Sequence, residues 1–245
     1  RNTALNSLDS ATELVAFLDS DDSWSTDHLK RARKALQSAN SCNVYFSNLR
    51  HLGADGPPEF ERAKRIVVDD HPVLFLGDTS FRVYIGDMID QIMRANTIFM
   101  PTLVISKALF GVRFDDGFRH GGGDYIYWLK LIAGGAKFCF STNVEVECGS
   151  GINMWYSNGW GTDGYLKRLT GESEFRSRAL ERYITAPQTK DLVKDQLKAL
   201  RRTVMLDTIH RLSRRKSIRI EDLRYYRSRF GLGWFDFASA IASKL

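Results

Sequence analysis

The stretch LVAFLDSDDSW at residues 14–24 constrains the chain most. Apolar residues fill positions 14–18, and then Asp19, Asp21 and Asp22 crowd together with only Ser20 between them. A short continuous apolar run stopped by a polar cluster predicts a strand buried on both faces of an α/β sheet. In open parallel sheets the ligand crevice lies at the carboxyl ends of the strands, which is where these carboxylates fall. Ser25 or Thr26 then caps a helix with Leu29, Ala32 and Leu36 on one face and Lys30, Arg31, Arg33 and Lys34 outside. A second strand, VYFSN at 44–48, completes the strand–helix–strand rhythm of a parallel sheet.

Residues 51–72 are polar, contain Gly53, Gly56, Pro57 and Pro58, and read as a surface loop. DMIDQIMRA at 87–95 predicts a short helix, and TIFMPTLVIS at 97–106 a strand or strand pair bent at Pro101. In FDDGFRHGGGDYIYWLKLIAGGAKFCF at 114–140 a loop leads into a helix from about Asp124 to Ala133, which Gly134 and Gly135 stop before another strand. From about Gly164 onward the pattern is mostly helical. Apolar residues such as Leu192, Leu197, Leu200, Val204 and Leu212 recur among Lys and Arg over 187–213, and a further segment spans 218–229. The expected division is therefore a catalytic α/β domain over 1–163 and a basic helical region over 164–245.

The chain's 245 residues, 43% hydrophobic and 26% charged, can bury a full core. No apolar run approaches the roughly 18 to 20 residues of a membrane span. Cys42, Cys139 and Cys148 are odd in number and lack a C-x-x-C pair, which indicates neither a disulfide framework nor a zinc knuckle. The net charge of +6 is uneven: from Trp160 onward 19 Lys and Arg face 10 Asp and Glu, whereas residues 1–159 carry 16 against 19. A basic C-terminal third suits an anionic partner, either a membrane surface, a phosphate-bearing lipid or a nucleic acid, and equally a solvated helical surface without one.

Three carboxylates this close repel one another, and burying them uncompensated costs several kcal/mol each, so a positive group is expected among them. Mg²⁺ or Mn²⁺ fits, since such ions use one or two carboxylates and complete their shell with substrate phosphates and water. The competing reading is a helix N-cap cluster on a solvated loop. A calcium-binding EF-hand loop starting at Asp19 would need Gly and Glu where Trp24 and Lys30 stand, and is excluded. A haloacid dehalogenase-type phosphatase, with Asp19 as nucleophile and Asp21 as acid, lacks a clear second acidic pair downstream.

Arg1, Asn2 and Thr3, FLDSDDSW at 17–24 and HLKRARKAL at 28–36 together resemble family 2 glycosyltransferases of the GT-A fold. GFRHGGGDYIYWLKLIAGG at 117–135 is similar to that family's second motif, and the resemblance covers roughly residues 1–160. The whole is similar to transferases that assemble exopolysaccharides of the succinoglycan kind in bacteria. The resemblance implies a GT-A nucleotide-sugar transferase fold, Rossmann-like, with first strands that have no counterpart after Arg1. A chain without them is expected to bind a nucleotide sugar poorly or not at all.

The resemblance also implies roles. Asp19 and Asp21 contact the donor and hold Mg²⁺ or Mn²⁺, with Asp21 the more direct ligand, Asp22 in support, and Arg1 near the donor's phosphates. Asp124 is the general base. Gly121, Gly122 and Gly123 let the backbone approach the acceptor, although Gly123 stands where the family has Glu. VECGSGINMWYSNGWG at 146–161 has no counterpart of a metal-binding histidine found in some members; its Trp155, Tyr156 and Trp160 among glycines suit sugar stacking and equally suit a place in the core. Implied partners are a nucleotide-sugar donor, of which a UDP-sugar is the leading case, and a saccharide acceptor linked to polyprenyl diphosphate, with no nucleic acid. The implied place is the cytoplasm, peripheral at the inner face of the cell membrane. A degenerate, non-catalytic transferase that binds glycans is the second functional class.

Overall fold

In the computed structural model, residues 1–38, 41–53, 55–62, 66–118, 120–149 and 158–233 are described. The chain divides into two compact units, Arg1–Phe114 with Tyr127–Gly151 and Asp115–Ile126 with Ile152–Leu245.

The first unit opens with α1 (Asn2–Asn6), β1 (Leu14–Ala16), β2 (Ser23–Trp24), α2 (His28–Ser38) and β3 (Val44–His51). It continues through α3 (Glu59–Arg62), the hairpin β4 (Val73–Phe75) and β5 (Asp78–Val83), α4 (Met88–Arg94) and β6 (Val104–Ser106). After α5 (Gly123–Ala133), whose first residues belong to the second unit, it ends in β7 (Phe138–Cys148). The strands form one sheet in the order β1-β6-β3-β7-β5-β4, with β2 pairing to β7.

This sheet is mostly antiparallel, which corrects the parallel sheet expected from the sequence. β6 runs antiparallel to both β1 and β3 and separates them, so the strand–helix–strand unit keeps its common direction but loses its direct pairing. Among the described residues only β3 and β7 pair in parallel. The expectation of a doubly buried LVAFL strand is also corrected: β1 is a half-buried edge strand, and Leu18 is largely exposed. Strands β1, β3 and β7 nevertheless point the same way, so their carboxyl ends share one edge of the sheet.

The amphipathic pattern of α2 does what its spacing requires. Ala32, Ala35 and Leu36 pack with Tyr45, Phe81, Val104 and Cys139, and Lys30, Arg33 and Lys34 stay outward. Two expectations are corrected: Leu29 is half-exposed, and Arg31 turns inward onto the Glu145 carboxylate. The 87–95 helix appears as α4, with the Asp87 carboxylate accepting from the N–H groups of Ile89 and Asp90. TIFMPTLVIS forms a single 3₁₀ turn over Met100–Thr102 before the short β6. The 51–72 loop includes α3, and the β4–β5 hairpin follows around Leu76 and Gly77.

The second unit is helical where described: α6 (Tyr165–Arg182), α7 (Pro187–Ser213) and α8 (Ile220–Phe230). Pro187 occupies the first turn of α7, where its missing N–H costs no hydrogen bond. Leu169, Val204 and Tyr226 form its core with Leu200, Leu223 and Phe230 against them, and the buried Tyr226 hydroxyl meets Ser173 Oγ at 2.9 Å. No helix among the described residues is long and apolar enough to cross a membrane.

Candidate functional site

Arg1, Asp19, Asp21 and Asp22 lie in the first unit, whereas Gly122, Gly123, Asp124 and Trp160 lie in the second. Trp155, Tyr156 and Gly151 fall outside the described residues.

The carboxylate loop connects β1 to β2 at the sheet edge where β1, β3 and β7 end. Ahead of it, Phe17 packs edge-on against Phe114 and Tyr127, whose rings stack 3.8 Å apart. Asn2 exchanges two hydrogen bonds with the Phe114 backbone, at 3.0 and 2.8 Å, and so fixes the start of the chain. Arg1 then reaches the loop: its Nη2 donates to both oxygens of Asp19, at 2.9 and 3.0 Å. The positive group expected among the carboxylates is present, therefore, as a guanidinium on Asp19.

Asp22 turns the other way. Its Oδ1 accepts from the Gly149 N–H at 3.0 Å, which ties the loop to the residue following β7. Burial pushes its carboxyl above the usual range, the Gly149 N–H pulls it back, and the charges of Asp21 and Asp19 push it further up. Gly149 is essential to this contact, because a Cβ there would sit 1.9 Å from the Asp21 carbonyl oxygen. The Asp21 backbone therefore lies close against Gly149, while its side chain stays exposed, with no ion pair among the described residues.

Among the described residues no three His, Cys, Asp or Glu side chains converge as a preformed metal cage requires. With Asp19 on Arg1 and Asp22 on Gly149, one open carboxylate remains in the loop, that of Asp21. This donor set fits a hard divalent cation that brings most of its shell as phosphate oxygens and water, and does not fit an all-protein site.

Behind the loop lies a polar cluster that sequence reasoning missed. The Trp24 ring lies 5.1 Å from that of His28, and its Nε1 donates to the Pro101 carbonyl at 2.7 Å. His28 Nδ1 donates to Glu145 Oε2 at 3.0 Å, Arg31 Nε to Glu145 Oε1 at 2.7 Å, and the Tyr45 hydroxyl lies 2.8 Å from both oxygens. Glu145 is 1% exposed. Burial alone would raise its carboxyl, but the donors His28, Ser141, Arg31 and Tyr45 outweigh burial and hold it below the usual range. Because Ser25 N–H also donates to the Glu145 carbonyl, at 2.8 Å, the start of α2 and the loop before it are anchored to β7. Nothing local in the sequence marks Glu145 or Gly149: Glu145 lies 100, 114 and 117 residues from Tyr45, Arg31 and His28, and Gly149 lies 127 from Asp22.

In the second unit, Asp124 stands in the first turn of α5 and is half-buried. Gly122 precedes it at φ +89°, and a Cβ there would meet Phe175 at 2.9 Å and the Gly171 carbonyl at 3.1 Å. Gly171 itself would carry a Cβ 2.1 Å from the His120 carbonyl. The triple-glycine turn thus packs backbone to backbone on α6, which accounts for Gly122 by packing. Asp115 accepts from Arg178, whose guanidinium covers the Phe118 ring at 4.4 Å and braces the same turn. Trp160 keeps 46% of its surface exposed, with its ring beside Tyr165 and His210.

No family model matches the chain. The chain is similar to the succinoglycan biosynthesis protein ExoW of Rhizobium meliloti (strain 1021), with 22% identity over 224 residues that cover 88% of this chain and 67% of that protein.

Proposed function

We propose that the protein is a glycosyltransferase of exopolysaccharide synthesis, moving a sugar from a nucleotide-diphosphate donor to a saccharide hydroxyl. The observation that carries this reading is the disposition of the carboxylate loop: at the carboxyl edge of the sheet Asp19 is occupied by Arg1, Asp22 by Gly149, and the exposed Asp21 carboxylate alone has no ion-pair or hydrogen-bond partner among the described residues. Similarity to a succinoglycan biosynthesis protein over most of the chain supports it, as do the family 2, GT-A-like motifs in the sequence.

In this reading Asp21, with Asp19 beside it, would hold Mg²⁺ or Mn²⁺ on the donor's diphosphate. A bound cation supplies Lewis-acid stabilisation of the charge on the departing nucleoside diphosphate. Arg1 holds Asp19 in place and adds a fixed positive charge at the donor side of the loop. Asp22 keeps the loop shut against Gly149 rather than binding ligand. Asp124 is the general base that takes the proton of the acceptor hydroxyl as its oxygen attacks the anomeric carbon, an arrangement that inverts that centre. We assign Gly122, Gly123 and Trp160 to the acceptor, and a UDP-sugar and a polyprenyl diphosphate-linked saccharide as the substrates.

Turnover tests the reading. Release of nucleoside diphosphate from nucleotide sugars in the presence of acceptor is expected to require Mg²⁺ or Mn²⁺. It is expected to fall about a hundredfold or more in Asp124→Asn. Full activity in Asp124→Asn, or in the presence of a chelator, would overturn it.

A further inference from the structure

The turn between α7 and α8 carries chemistry that sugar transfer does not use. Helix α7 ends with Lys216 N–H donating to the Arg211 carbonyl at 2.9 Å and Arg215 N–H to the Leu212 carbonyl at 3.1 Å. This is the Schellman arrangement, whose fifth residue takes the left-handed conformation and is usually Gly or Asn. Here that residue is Arg215, at φ +53°, the one non-glycine with positive φ among the described residues. A side chain is retained where its absence would relieve the backbone.

That side chain is exposed, and so are those of Arg214, Lys216 and Arg219. Lys216 Nζ donates to the Gly161 carbonyl at 3.2 Å and Arg219 Nε lies 3.4 Å from Asp222, but Arg214 and Arg215 have no acidic partner among the described residues. Arg211, by contrast, turns inward onto Asp163 and the Ser217 carbonyl, and closes the turn. Two aliphatic side chains flank the cations, Leu212 at 63% and Ile220 at 60% exposure. Since Leu223, Tyr226 and Phe230 face the core of the unit, α8 presents Arg224 and the half-exposed Tyr225 on its outer side.

Cations alone would suit any polyanion. Exposed aliphatic side chains at both ends of the cluster distinguish the cases, because nucleic-acid backbones offer nothing to bury them in, whereas the interfacial zone of a bilayer takes up aliphatic groups and attracts cations. We propose that the α7–α8 turn is a docking site for an anionic phospholipid surface, with Leu212 and Ile220 entering the interfacial zone and Arg214 and Arg215 on headgroup phosphates. The docking proposal does not rest on the proposed transfer reaction, and either can fail without the other.

Co-sedimentation of the full chain with vesicles tests it. Vesicles of equimolar phosphatidylcholine and phosphatidylglycerol are expected to bind the protein, with pure phosphatidylcholine binding far less and salt weakening the difference. Arg215→Gly is expected to lower partitioning about fivefold, and Arg214→Ala with Arg215→Gly about 25-fold, at roughly a factor of five per basic residue. Arg215→Gly relieves a left-handed backbone, so its Tm is expected to be no lower than that of the parent, which separates lost docking from lost folding. Lys198→Ala, which removes one exposed charge farther up α7, is expected to leave partitioning unchanged. Equal binding to both vesicle types would overturn the proposal. So would unchanged partitioning in the double variant, or a double variant that loses binding to a single-stranded oligonucleotide but not to vesicles.

Discussion

Asp21 is exposed while its neighbour Asp22 ties the loop to Gly149, a combination that separates chemistry from stability at a single residue. Asp21→Asn is expected to leave the thermal melt unchanged and to lower turnover about a hundredfold, the scale of removing one electrostatic stabiliser of a developing charge. Steady-state assays beside a melting curve check it. Glu145 is the opposite case, buried and clasped by His28, Arg31 and Tyr45. Glu145→Gln leaves those donors without their carboxylate and is expected to cost about 3 kcal/mol in urea unfolding. Its carboxyl is held below the ordinary 4.5 in the fold, so the stability it contributes is present above pH 4.5 and is lost as pH falls through the lower folded value. Acid titration of stability should therefore be steeper in the parent than in Glu145→Gln below pH 4.5. The carboxylate cluster was legible in the sequence because its residues are adjacent. Glu145 and Gly149 were not, because they act only through space.

At the scale of elements, glycines decide two close approaches. Gly149→Ala places a Cβ against the Asp21 carbonyl and must displace the carboxylate loop, so it is expected to weaken metal-dependent donor binding at least tenfold. Gly77→Ala, where a Cβ meets nothing within 4 Å, serves as its control and is expected to be neutral in the same titration. Gly171→Ala drives a Cβ into the His120 carbonyl and is expected to destabilise by about 2 kcal/mol or more, read by denaturant unfolding. Elements with strong periodicity or caps were readable: α4 with its Asp87 cap, α5, and α7 starting at Pro187. The β4–β5 hairpin was missed because its strands are short and Leu76-Gly77 is a weak turn signal. The direction of the sheet was misread for a different reason. The run LVAFL records apolarity but not neighbours, and the insertion of β6 between β1 and β3 is a tertiary choice that no local pattern encodes.

On the scale of the whole molecule, the acidic loop and the basic turn divide the charge asymmetry of the sequence between two tasks, one in each unit. The first unit presents a single open carboxylate on a braced loop, and the second presents unpaired arginines beside exposed aliphatic side chains. The proposed transfer reaction depends on the first. Titration of a nucleoside diphosphate into the protein, with and without Mn²⁺, tests it most directly. Weak, saturable binding is expected that requires Mn²⁺, is lost in Asp21→Asn and is retained in Asp124→Asn. Binding that is indifferent to Mn²⁺, or equal in Asp21→Asn and the parent, would contradict it.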